Sequence, residues 1–98
     1  MEHAVSPPAA PRAIHVLLVD DDVFLLELMV ELLGSIGVTA VQVAYSGIEG
    51  LARYRTSNPR PNVVVCDLCM PGLDGMEFLR HLAKERCQAD IVIVSGHN

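Results

Sequence analysis

Two groups of acids stand where apolar runs stop. Asp20-Asp21-Asp22 ends the run from Ile14 to Val19, and Asp67 ends Val63-Val64-Val65-Cys66. Short runs rich in β-branched residues suit strands buried on both faces of a parallel sheet. Pro71 lacks the N–H that a sheet ladder needs, so the second strand must end before it. In open α/β sheets ligands bind at the carboxyl ends of the strands. Two acid-tipped parallel strands side by side gather several carboxylates there, and these raise one another's pKa unless a cation sits between them. The chemistry this predicts is a divalent metal held by carboxylates. Cys66-Asp67-Leu68-Cys69 also spells C-x-x-C. Its first cysteine falls in a strand, whereas a redox pair opens a helix. A zinc site needs two further ligands, and Cys87 is the one other cysteine, so buried thiols are expected. His3, His15, His81 and His97 show no ligand spacing.

The elements that must position these acids alternate along the chain. Residues 1–12 carry Pro7, Pro8 and Pro11 among alanines and read as a flexible tail; residues 13–98 read as the domain. Ile14 to Val19 is the first strand, and Asp22 is suited to cap a helix over Val23 to Leu33. That helix is apolar nearly all round, with Glu27 and Glu31 as its solvent stripe and Gly34 and Gly37 as its stop. Val38 to Val43 is the second strand. Ser46-Gly47-Ile48-Glu49 reads as a capping box opening a second helix with Ile48, Leu51 and Ala52 on its apolar face. The third strand is Asn62 to Asp67. Asp74-Gly75-Met76-Glu77 opens a third helix, predicted to bury Met76, Leu79, Leu82 and Ala83 while Arg80, Lys84 and Arg86 face out. Asp90 to Ser95 is the fourth strand. The order β-α-β-α-β-α-β predicts a doubly wound, flavodoxin-like parallel sheet with helices on both faces.

Composition narrows the function classes. At 98 residues there is room for one small domain. Hydrophobic residues make up 51% and mean hydropathy is +0.37, which predicts a buried core rather than disorder. No apolar stretch reaches the roughly 18 residues that span a bilayer, and residues 1–12 lack the apolar segment of a signal peptide. A net charge of −5 without a Lys/Arg cluster speaks against direct nucleic-acid binding. Three cysteines without a dense framework predict reduced thiols and a cytoplasmic location.

Val19-Asp20-Asp21, then Asp67 with Met70-Pro71 and Asp74-Gly75, then Ser95-Gly96 closing an apolar strand, resembles the receiver domain of bacterial two-component response regulators from about Ile14 onward. The resemblance implies that Asp67 is the phosphoacceptor, a carboxylate nucleophile forming an acyl phosphate. It implies Mg²⁺ to offset the repulsion between that carboxylate and an incoming phosphate, with Asp21 and Asp67 as direct ligands, Asp20 acting through water, and the backbone carbonyl of Cys69 completing the set. Ser95 resembles the family's switch hydroxyl, and Gly96 leaves room beside it for a contact with the phosphoryl group. The partners implied are a sensor histidine kinase or phosphotransfer protein on one side, and an effector domain or partner protein on the other. The implied role is signalling rather than enzymatic, beyond self-phosphotransfer and autodephosphorylation.

The family pattern continues past the switch with a fifth strand and two helices, bearing a lysine and an aromatic residue that no position here replaces. Strand four is then expected to be an open apolar edge, in a piece of a longer protein or in a chain that pairs with a second copy through that edge. The rival function is a receiver-shaped interaction or dimerisation module that is never phosphorylated. A haloacid-dehalogenase-type phosphatase needs an acid two residues after its nucleophile, where this chain has Cys69. A flavodoxin-type FMN site needs a neutral phosphate loop where Asp20-Asp21-Asp22 stands.

Overall fold

The computed structural model describes residues 13–68 and 75–94. Four strands, β1 (His15–Val19), β2 (Ala40–Ala44), β3 (Val63–Asp67) and β4 (Asp90–Val94), alternate with three helices, α1 (Val23–Ser35), α2 (Gly47–Thr56) and α3 (Gly75–Lys84). All strand pairs are parallel and the sheet order is β2-β1-β3-β4, the doubly wound arrangement that the alternation predicts. The first twelve residues and the expected tail lie outside the described residues.

Side-chain alternation along β1 divides the core in two. Leu17 and Val19 point with Val64 and Cys66 toward α2 and α3, where Leu51, Tyr54, Phe78 and Leu82 close one layer. Val16 and Leu18 point the other way and meet Leu26 of α1, with Met29, Leu33 and Val65 beside it. Both faces of β1 are buried, which is why its sequence is a continuous apolar run rather than an alternating one. Asn62 fastens the amino-terminal edge: its Oδ1 accepts from the His15 N–H at 2.9 Å and its Nδ2 donates to the Ala13 carbonyl at 2.8 Å.

The helices differ from expectation in which residues they bury. In α2, Ile48 is 67% exposed and Ala52 is exposed, while Tyr54 fills the layer beside Leu51. In α3, Met76 and Ala83 face out and Phe78 is fully buried. The expectation followed aliphatic spacing, but the two large aromatics, whose burial removes the most apolar area, set the rotation of both helices. Gly34 does not stop α1; it lies inside the helix, which runs on to Ser35.

Both α1 and α3 end in the same backbone motif. Val38 N–H donates to the Leu33 carbonyl at 2.9 Å and Gly37 N–H to the Gly34 carbonyl at 3.0 Å, with Gly37 at φ 91°. Cys87 N–H donates to the Leu82 carbonyl at 3.0 Å and Arg86 N–H to the Ala83 carbonyl at 3.1 Å, with Arg86 at φ 56°. These are two Schellman closures, and their left-handed position favours glycine. An L side chain there costs on the order of 1–2 kcal/mol, against about 0.5–1 kcal/mol of extra unfolded-state entropy for glycine. Arg86→Gly is therefore expected to raise stability by about 0.5–1 kcal/mol, read as a higher urea midpoint with an unchanged slope. A lower midpoint would show that the arginine side chain contributes more to the fold than its backbone costs.

Candidate acidic site at the carboxyl edge of the sheet

β1 and β3 are neighbours in register, with Val19 opposite Cys66, so Asp20 and Asp67 leave adjacent strands side by side. Asp20 is held on the edge by its own N–H, which donates to the Ala44 carbonyl of β2 at 3.1 Å. Its Oδ1 accepts from the Asp22 N–H at 2.9 Å, which turns the chain toward α1. Asp22 caps that helix by accepting from the Leu25 N–H at 3.1 Å, as the sequence predicts for this third acid of the run.

Asp20 and Asp67 are 6% and 8% exposed, unusual for carboxylates, while Asp21 is exposed. Leu26, Met29, Val65 and Val94 surround the two buried acids with apolar surface. One carboxylate oxygen from each of Asp20, Asp21 and Asp67 lies within 4.8 Å of the others. Burial pushes the Asp20 carboxyl above its ordinary value; the Asp22 N–H pulls it back, and the neighbouring charges of Asp67, Asp21 and Asp22 push it further up. Three hard oxygen donors converging in one small volume are the donor set that Mg²⁺ or Ca²⁺ takes, so the residues present fit the predicted cation.

β4 runs beside β3 with Val94 opposite Asp67, so the fourth strand also delivers the chain to this edge. Ser95, Gly96 and Cys69, the remaining predicted site residues, lie outside the described residues. A contributor that the spacing did not mark is Gly75. A Cβ placed on it would overlap the Asp67 carbonyl and the Leu68 backbone. Asp74-Gly75 predicts a helix start, and α3 does begin at Gly75; the missing side chain also lets α3 lie against the strand end that carries Asp67.

The comparisons agree with this fold. The family model described as the response regulator receiver domain matches residues 16–98. Chemotaxis protein CheY of Treponema pallidum is 32% identical over 90 residues, which cover 92% of this chain and 61% of that protein. A protein-glutamate methylesterase/protein-glutamine glutaminase of Koribacter versatilis is 38% identical over 85 residues, 86% of this chain and 23% of that protein. The chain thus spans less than two thirds of either relative's length. The crystal structure of response regulator protein TrrA from Thermotoga maritima, in complex with Mg²⁺ and BeF, superposes with a TM-score of 0.74 at 29% identity, covering 82% of this chain and 67% of that one.

Proposed function

Since the chain belongs to the response regulator receiver domain family, we propose that it takes a phosphoryl group on Asp67 and passes the resulting change to an effector domain or partner protein. The observation that carries this reading is the convergence of Asp20, Asp21 and Asp67 at the carboxyl edge. Asp67 supplies the attacking carboxylate oxygen, and its burial among apolar side chains limits competing water. Asp20, Asp21 and Asp67, with the carbonyl of Cys69, would hold Mg²⁺. When bound, the cation supplies positive charge against both the carboxylates and the phosphoryl oxygens. Asp22 fixes the start of α1 and leaves Asp20 and Asp21 in front of it. Ser95 and Gly96 are assigned the phosphoryl contact on the receiving side. A sensor histidine kinase or phosphotransfer protein is the assigned donor, and the cytoplasm the assigned location. No helix among the described residues is long and apolar enough to cross a membrane.

The test is intact mass after incubation with acetyl phosphate and Mg²⁺. One hydroxylamine-labile phosphoryl group, absent when Mg²⁺ is withheld, is the expected result; no uptake on this chain or on a version extended beyond Asn98 would move the assignment to the unphosphorylated interaction module. The roles of the two adjacent acids separate by calorimetric Mg²⁺ titration. Asp21→Ala is expected to weaken binding more than Asp20→Ala, and equal losses would contradict the direct-versus-water division. Asp20 also carries a pH signature in metal-free buffer. Its folded pKa is raised, so the folded state holds the proton more tightly, and this contribution to stability is lost as pH rises from about 3.8 through the raised value. Asp20→Asn keeps an acceptor for the Asp22 N–H and should flatten that decline.

A second reading draws on β4, whose Ile91, Val92 and Ile93 are 39%, 47% and 49% exposed at the open side of β3. Pairing of two copies through that edge would cover it. Light scattering at rising concentration is expected to show a dimer, and a constant monomer mass would remove this reading.

A further inference from the structure

At the opposite end of β3 from Asp67, some five residues or roughly 16 Å of strand away, the amino-terminal edge of the sheet carries a hollow of about 290 Å³. Tyr54 of α2, Arg60, Pro61 and Asn62 before β3, and Glu85, Arg86 and Gln88 after α3 line it. We propose that this hollow is a binding site for a small oxyanion-bearing ligand, a phosphate or a carboxylate, gripped by Arg60 and Arg86.

Three observations converge. The chain carries a net charge of −5, yet two arginines line this one cavity. The single acid on its wall, Glu85, is already engaged by Arg55, whose Nε donates to Glu85 Oε2 at 2.8 Å while its Nη2 reaches the same oxygen. Glu85 is held ionised mainly by that bond, so it adds a negative charge that Arg55 offsets. Arg60 and Arg86 form no salt bridge among the described residues. Although the charge of Arg60 also acts on Glu85, the three guanidiniums of Arg55, Arg60 and Arg86 outnumber this one acid, which leaves the cavity cationic.

Arg60 is also placed for the task. Its guanidinium carbon lies 5.0 Å from the centroid of the Tyr54 ring. A guanidinium resting on an aromatic face is ordered before any ligand arrives, and its planar fork remains suited to paired oxygens. Tyr54 is itself 3% exposed and packed in the core, so the platform is rigid.

Arg86 supplies the third observation. The two Schellman closures have the same hydrogen-bond pattern, but one uses Gly37 and the other an arginine at φ 56°. An arginine in a position that favours glycine is unfavourable locally, and its guanidinium has no ion-pair partner among the described residues to compensate. Its place on the cavity wall supplies a reason for it. The size of the hollow, at the small end of ligand sites of about 300–1,000 Å³, suits a compact anion rather than a nucleotide.

The test is a backbone-amide NMR titration of the whole chain with sodium phosphate, and separately with sodium succinate, at constant ionic strength and without divalent cations. Saturable shifts clustered at Asn62 and Glu85 to Gln88 are expected with at least one of them, and the tighter of the two names the ligand's head group. Arg60→Gln and Arg86→Gly should each weaken binding by about tenfold or more, the worth of a lost charge-assisted hydrogen bond. The urea midpoint of Arg86→Gly, expected to be no lower than the parent's, separates weakened binding in that variant from unfolding. Shifts that do not saturate, that gather at the Asp20 and Asp67 edge instead, or that persist at full affinity in both variants would overturn the proposal.

Discussion

Asp67→Asn is expected to take up no phosphoryl group from acetyl phosphate under conditions where the parent chain is expected to gain one. This is the largest functional effect expected of any single substitution here. The amide has nearly the same size and shape, so it fits the same buried position at the end of β3, 8% exposed, without a cavity or a clash. What it loses is the anionic oxygen that attacks, and one of the three charges that converge within 4.8 Å. Stability should move the other way. The Asp67 charge is among the causes that push the Asp20 carboxyl upward, so neutralising it relieves repulsion inside the cluster. In metal-free buffer the variant is expected to unfold at an equal or higher temperature than the parent. Loss of uptake with undiminished stability separates chemistry from folding. Label appearing on the variant at the parent's level, at Asp20 or elsewhere, would sink the assignment of Asp67 as nucleophile.

The acids were legible because their signal is local. An apolar run ending in Asp can be read without knowing the fold, and parallel pairing of β1 with β3 brings the two endings together. The sheet was legible for the same reason, since continuous apolar runs such as Val16-Leu17-Leu18-Val19, buried on both faces, advertise themselves. The buried faces of α2 and α3 were not. Aliphatic spacing pointed to Ile48, Ala52, Met76 and Ala83, whereas Tyr54 and Phe78 fill the layer. Which face of a short helix turns inward depends on the volume left between it and the sheet, and that volume is a property of the assembled layers. Arg86 in a left-handed position and the hollow beneath it were equally invisible. The one trace in the sequence is negative: α3 reaches its end with no glycine or asparagine to close it.

Gly75→Ala should be the most damaging glycine-to-alanine substitution among the described residues. At most helix positions alanine is better than glycine by about 0.8–1 kcal/mol, so propensity alone predicts a gain. Sterics predict the reverse and are larger. The added methyl would enter the space of the Asp67 carbonyl and the Leu68 backbone. These are main-chain atoms at the end of a strand paired on both sides, so they cannot rotate away as a side-chain tip would. Relief requires α3 to move off the sheet, and Phe78 and Leu82, both in the α2–α3 core layer, would move with it. Forced overpacking of this kind costs about 1–3 kcal/mol, and the urea midpoint should fall accordingly. The functional loss should exceed what unfolding explains. Whatever fraction stays folded has lost the helix start that abuts the Asp67 carbonyl, and a resulting misplacement near 1 Å at the reacting group costs about a hundredfold in rate. The rate of phosphoryl uptake, corrected for the folded fraction, should therefore still fall. A variant as stable as the parent would mean that the strand end and α3 separate freely. One that is destabilised but reacts at the parent's rate per folded molecule would mean that the contact supports the fold without aiming the carboxylate.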